Sequence, residues 1–138
     1  MTRGIERRIN ETHQKEVVMS ISVIGLSYDA AAPATVAEFW AQALGRQVSD
    51  GASADFAAVA ATDAAGSGPF LMFHKVPEGK TVKNRLHLDL GTADLETETQ
   101  RLIGLGAKRL NDITEEGRIR WTTFADPEGN EFDLVNTQ

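Results

Sequence analysis

The chain contains no cysteine. Disulfides, thiolate metal ligands and a cysteine nucleophile are thereby excluded. No apolar run approaches the roughly 18 residues of a membrane span, and the N-terminus lacks the apolar stretch of a secretory leader. Cytoplasmic residence is the resulting expectation. Positive charge is in deficit: 14 Lys and Arg against 20 Asp and Glu leave a formal charge of -6 and a pI near 5.0. That balance argues against a nucleic-acid partner, whose phosphates attract basic surfaces. A phosphate-cradling GxxxxGKS/T loop, a dinucleotide fingerprint and a GxSxG elbow are all missing. What remains, 138 residues of which 41% are apolar and 25% charged, is the composition of one globular domain.

The informative presence is an internal repeat. Leu44-Gly45 recurs as Leu105-Gly106, and Gly68-Pro69-Phe70-Leu71 falls on Gly129-Asn130-Glu131-Phe132 at the same offset of 61. Two landmarks agreeing on one shift divide the chain into equivalent halves, with modules near 19–78 and 84–136. Residues 1–18 are polar, show little apolar periodicity and read as an extension to this domain; a short helix used in packing or dimerisation is the alternative.

Within the first half, Ile21 to Tyr28 is β-branched and apolar and reads as a strand. Pro33 suits a helix's first turn. Val36, Phe39, Trp40, Ala43 and Leu44 then follow one helical face, closed by Gly45. Short strands are expected near Arg46–Ser49, Phe56–Ala61 and Phe70–Val76. The second half begins Arg85-Leu86-His87-Leu88-Asp89-Leu90, whose alternation puts the leucines on one face and His87 and Asp89 on the other. Asp94 can cap a helix with a stripe of Leu95, Leu102 and Ile103 ending at Gly106. Strands near Ala107–Asn111 and Ile119–Phe124 follow, then the turn Asp126-Pro127-Glu128-Gly129 and a last strand with Glu131 and Asp133 on one side, Phe132 and Leu134 on the other. Each half is thus β-α-β-β-β, an α+β fold. Faces carrying His87, Asp89, Glu131 and Asp133 cannot be buried without partners, so they are expected to line a concave surface that meets water or ligand.

The order of Phe39-Trp40, Leu44-Gly45, Val76-Pro77-Glu78, Asn84-Arg85-Leu86-His87-Leu88-Asp89-Leu90, Leu105-Gly106-Ala107 and Asp126-Pro127-Glu128-Gly129-Asn130-Glu131-Phe132 resembles the glyoxalase, bleomycin-resistance and extradiol-dioxygenase (vicinal oxygen chelate) superfamily, in particular its small bacterial glyoxalase-like domain proteins. The resemblance spans residues 19–136. It implies two βαβββ modules forming an incomplete barrel around a cavity. It also implies a divalent metal in some members, held by one residue from the first and one from the last strand of each module. In the second module those positions are His87 and Glu131, suited to Zn, Ni, Fe or Mn. In the first module they fall on Phe70 and on Leu26, or Gly25 if that strand slips by one, neither of them a ligand. Homodimerisation is implied as well.

His74 shares a predicted strand face with Phe70 and Met72, so His74, His87 and Glu131 form a candidate two-histidine, one-carboxylate metal set. Without metal, His87 and Glu131 are candidates for a base or ligand anchor, with Asp89 and Asp133 as acidic neighbours suited to a cationic guest. Trp121 and Arg120 are candidates to stack on a flat ligand and to pair with an anionic one; Trp121 in the core is the competing expectation. Three functions follow: a divalent-metal-dependent lyase or dioxygenase using His74, His87 and Glu131; a metal-free protein that binds a small molecule; and a metal-free isomerase or lyase. The missing first-module ligands favour metal-independent binding or an activity still to be characterised.

Overall fold

The computed structural model describes residues 20–63 and 66–138. The expected extension over 1–18, and Met19, lie outside the described residues. The first module contains β1 (Gly25–Ala30), α1 (Pro33–Leu44), β2 (Phe56–Val59), a two-residue hairpin of β3 (Thr62–Asp63) and β4 (Gly66–Ser67), and β5 (Phe70–Lys75). The second contains β6 (Asp89–Thr92), α2 (Leu95–Leu105), β7 (Lys108–Glu115), β8 (Arg118–Ala125) and β9 (Glu131–Asn136). The sheets run β1-β5-β2 and β6-β9-β8-β7, with the first and last strands of each module parallel. Neither sheet closes on itself, and the two βαβββ modules give an open α+β architecture.

Three strand expectations need correction. The strand expected from Ile21 begins at Gly25, and Ile21, Val23 and Ile24 are exposed. Arg46–Ser49 contributes only a single bridge, Val48 to Val59, because the chain turns away at Asp50-Gly51, where Gly51 has φ +92°. The strand expected from Arg85 begins at Asp89. Its ladder stops there because the next donor along β9 is diverted. Asp133 N–H bonds the Leu88 carbonyl (3.0 Å), but Glu131 N–H bonds the Asn84 side-chain oxygen (3.1 Å). In the first module the equivalent donor, Phe70 N–H, does reach a strand carbonyl, that of Ile24 (3.2 Å).

Ladder register also resolves the one-residue slip. Gly25 pairs with Phe70 and Ser27 with Met72, whereas Asp89 pairs with Asp133. With the last strands offset by 61, the first strands are offset by 62, so Gly25, not Leu26, matches His87. The cause is helix length. The α1 N-cap Ala32 matches Asp94 at 62, but the C-caps Gly45 and Gly106 match at 61, since α1 has 12 residues and α2 has 11. Both helices end on a left-handed glycine (φ +66° and +116°), the conformation that glycine adopts at least cost.

The expected α1 stripe is the core: Val36, Phe39, Trp40 and Ala43 are buried, against Val59, Leu71, Phe73, Phe124, Phe132 and Leu134. In α2 the stripe is Leu95, Thr99 and Leu102. Ile103, expected inside, is 40% exposed, as it lies one position past Leu102 and so round the helix.

Three polar ties join the modules. The Asp126 carboxylate is buried and accepts from Trp40 Nε1 (2.9 Å), the backbone N–H groups of Glu128 (2.9 Å) and Asn130 (2.9 Å), and Asn130 Nδ2 (3.0 Å). Glu128 accepts from Ala31 and Ala32 N–H (2.8 and 3.0 Å), placing an acid at the start of α1, whose own N-cap is an alanine and whose first turn has no acid. From the other side, Arg101 of α2 donates to the Gln42 and Ala43 carbonyls at the end of α1 (3.0 and 2.9 Å). Asp126→Ala strands several buried donors, each costing about 1–3 kcal/mol. Urea unfolding is expected to show a loss of about 3 kcal/mol or more, and a loss below about 1 kcal/mol would refute the role given to this carboxylate.

Candidate functional site

A cleft of about 650 Å³ lies along the seam between the modules. One wall is β1, including Ser27, Tyr28 and Asp29; the facing wall is Asn84 to Leu88; the connector around Val76–Lys80 and the turn residues Glu128 and Asn130 complete it. These elements meet because β1 and β6 are the outer strands of their sheets, and Asp126 and Glu128 pull the β8–β9 turn onto α1.

Tyr28 is half-buried, stacked on Phe73 (5.1 Å) and Trp40 (6.1 Å). Burial, and secondarily the Asp126 charge, push its hydroxyl well above the ordinary tyrosine range, so it stays protonated. His87 also lines the cleft. Its Nδ1 lies 3.0 Å from Asp89 Oδ1 and 3.8 Å from Asp133 Oδ2. Asp133 Oδ1 accepts from the Thr123 hydroxyl (2.6 Å). Among the described residues, His87, Asp89 and Asp133 form the group of three whose nitrogen and oxygen donor atoms all lie within 4.8 Å of one another.

Glu131 belongs neither to that group nor to the cleft wall. Lys83 Nζ bonds its Oε2, and Lys80 Nζ lies 3.5 Å from its Oε1. The Lys83 hydrogen bond holds its carboxyl below the usual range, aided by the charges of Lys83 and Lys80 and the contact with Asn84, and opposed by desolvation. His74 sits apart, exposed on β5 with its ring 5.1 Å from Phe56. His74, His87 and Glu131 are thus not gathered into one donor set.

Trp121 is half-buried and faces Val135 and Ile113 across the sheet, outside the cleft wall. Arg120 is exposed and paired with Glu115 (3.4 Å), on the sheet face opposite Trp121. The cleft is not the acidic pocket expected for a cationic guest, because Asp89, Glu131 and Asp133 are not in its wall and Glu131 is neutralised. Its charged lining is mixed: Asp29, Glu78 and Glu128 against Lys80 and Arg85. The connector cations Lys80, Lys83 and Arg85, and Glu128, were missed by sequence reasoning. The spacing of three cations within six residues beside His87 was the available signal.

The first module carries an apolar version of the same positions: Gly25 for His87, Ser27 for Asp89, Phe70 for Glu131 and Met72 for Asp133. A Cβ at Gly25 would lie 2.7 Å from Met72 Cε, so the methionine fills the space where the second module has an imidazole.

The Glu131 carboxyl has a depressed folded-state pKa, so its stabilising effect is present above the unfolded value of 4.5 and is lost as pH falls through the folded value. Because Lys83 is exposed, the effect is screened. Glu131→Gln is expected to cost less than about 1 kcal/mol near neutrality. In urea unfolding series from about pH 7 to about pH 3, the gap from the parent should close in the acid range; a gap independent of pH would contradict the ion pairs.

The model of the glyoxalase-like domain matches residues 25–135. No curated protein matches. Among solved structures, the fold is similar to a glyoxalase/bleomycin resistance protein/dioxygenase family enzyme from Burkholderia phytofirmans PsJN (TM-score 0.65, 16% identity, 86% of this chain and 100% of that one). A possible glyoxalase from Bacillus cereus gives TM-score 0.61 and 18% identity over 84% of this chain and 99% of that one. A mutant of the fosfomycin resistance protein FosX from Listeria monocytogenes, complexed with Mn(II) and 1S,2S-dihydroxypropylphosphonic acid, gives TM-score 0.65 and 11% identity over 87% and 93%. At these identities the likeness concerns the fold. No helix among the described residues is long and apolar enough to cross a membrane. With four-fifths of its length matched by the family model and both repeats folded as βαβββ modules, the chain belongs to the glyoxalase-like domain family of the vicinal oxygen chelate superfamily.

Proposed function

We propose that this protein binds a small organic molecule in the inter-module cleft without a divalent metal at the superfamily position, with His87 as the group that contacts the ligand. The observation that carries the reading is the placement of His87 on the wall of a cleft of about 650 Å³, a volume within the range of ligand sites, whose facing wall includes half-buried Tyr28. Binding alone and proton transfer by His87 are both compatible with that arrangement.

The residues at the superfamily metal positions do not fit an ion. Glu131 has both oxygens engaged by ammonium groups, and a metal there has to displace Lys83 and Lys80. Gly25 and Phe70 offer no donor side chain, which leaves His87 alone, whereas catalytic metal sites use about three protein ligands. The metal-dependent alternative with His74 has no supporting geometry, as His74 packs on Phe56 instead.

The test is a thermal-shift screen of small organic molecules, with hits mapped by backbone amide shifts. Hits are expected to perturb residues 25–30 and 84–88, and His87→Ala to weaken them at least about tenfold, or 1.4 kcal/mol. Hits mapping elsewhere and indifferent to His87 would sink the reading. In parallel, Ni, Zn and Mn are expected to give no stabilisation that depends on Glu131; a stoichiometric ion lost in Glu131→Gln reverses the assignment.

Homodimerisation belongs to the same proposal. Phe56 and Phe70 share one face of the first module's sheet and are 38% and 46% exposed, large aromatics that a second copy would cover. Light scattering is expected to give twice the 15.0 kDa chain mass, falling to that of a monomer in Phe70→Asp. A monomeric parent protein would end this part of the proposal.

A further inference from the structure

The environment of His87 determines which of its nitrogens can meet a ligand. A neutral imidazole has one donor nitrogen and one acceptor nitrogen, and a carboxylate only accepts. Asp89 Oδ1 lies 3.0 Å from Nδ1 as an ion-pair contact, and a carboxylate at that distance favours an N–H over a lone pair on Nδ1. The second carboxylate near Nδ1, Asp133 at 3.8 Å, acts in the same direction. Asp133 is itself held by the Thr123 hydroxyl, and its backbone pairs with that of Asp89 in the parallel ladder, so both acids are placed by sheet geometry. Nothing comparable exists in the first module, where Gly25 and Ser27 occupy the matching positions.

We propose that Asp89 is a positioning residue that holds His87 in its Nδ1–H tautomer, leaving Nε2 as the acceptor nitrogen at the wall of the cleft. The functional meaning rests on the cleft being the ligand site, but the tautomer itself belongs to the protein alone. It sets the ligand class: a molecule presenting an O–H, an N–H or an acidified C–H to Nε2, since this nitrogen has no hydrogen to offer a bare carboxylate. If the proton is transferred, the X–H bond breaks with its electron pair left on the ligand. A new Nε2–H bond forms, and the resulting imidazolium is flanked by the carboxylates of Asp89 and Asp133.

The experiment is long-range 1H–15N correlation on the 15N-labelled protein at about pH 8.5, where an ordinary imidazole is neutral. The His87 signals are identified by their loss in His87→Gln. A protonated Nδ1 and an unprotonated Nε2 are expected in the parent. Asp89→Ala is expected to shift the ring toward the Nε2–H form, while Asp89→Asn, which keeps an acceptor oxygen, retains Nδ1–H. Asp89 is largely exposed, so both variants should keep the parent amide spectrum. An Nε2–H ring in the parent, or an unchanged ring in Asp89→Ala, overturns the proposal. A failed ligand screen alongside an intact Nδ1–H ring removes the functional reading and leaves the dyad standing.

Discussion

The architecture depends on one buried carboxylate. Asp126 sits with four N–H groups around it and, among the described residues, has no salt-bridge partner. Its backbone also closes the turn: its N–H bonds the Asn130 carbonyl (2.8 Å), and its carbonyl accepts from Gly129 N–H (2.9 Å). One side chain thereby folds the β8–β9 turn and fastens it to the central indole of the other module. Buried polar groups are costly unless every partner is present, so this arrangement is specific as well as stabilising. The indole completes the connection, because Trp40 packs edge-on against Phe132 (4.9 Å) two residues beyond the turn. The cleft follows from this joint. Drawing the turn onto α1 brings Glu128 and Asn130 beside β1 and fixes the separation between the two outer strands.

The second consequence is asymmetry. Modules of one topology present unlike surfaces, because polar residues at four equivalent positions in one are small or apolar in the other. On one side are His87, Asp89, Glu131 and Asp133; on the other are Gly25, Ser27, Phe70 and Met72. Of these eight residues, His87 lines the cleft from one side and Gly25 and Ser27 from the other. A metal site spanning both modules needs the reverse, donors contributed from each side, and Gly25 with Met72 folded over it is the clearest sign that this side has been given to packing.

Much of this was legible in the chain. The repeat, the helix stripe around Trp40 and the glycine caps follow local periodicity, and the structure reproduces them; the leucine face expected opposite His87 is not reproduced, because the strand begins only at Asp89 and Leu86 is 70% exposed. The Leu26 or Gly25 ambiguity was not resolvable from the landmarks. The missing residue lies inside α2, where no turn or glycine marks it, and only ladder pairing reveals it. Ile103 was misplaced because three apolar residues cannot define a stripe on a helix whose fourth buried position is a threonine. Asp126-Pro127-Glu128-Gly129 was legible as a turn, but the destination of its acids, 86 and about 97 residues away, is a tertiary fact that spacing does not encode. His74 was assigned to the site from strand alternation, and Arg120 from a strand expected to flank the cavity. Alternation gives the face of a strand; it does not say what stands over that face.

The connector explains why Glu131 behaves unlike a free acid. Lys80, Lys83 and Asn84 come from the segment that leads to His87, and all three bind Glu131, through side chain or backbone. That same segment forms part of the cleft wall. The Asn84 contact removes the donor that would have extended β9 pairing to Leu86, so the chain at 85–87 is free of the ladder and His87 is carried at the end of a tethered segment. Glu131 therefore acts on the site through the backbone. It fixes where the wall begins, and the parallel ladder from Asp89 onward fixes where it ends. His87 is held between these two anchors, with Asp89 Oδ1 3.0 Å from its Nδ1. The superfamily's two metal positions in this module thus sit apart, Glu131 tied to Lys80, Lys83 and Asn84 and His87 on the cleft wall.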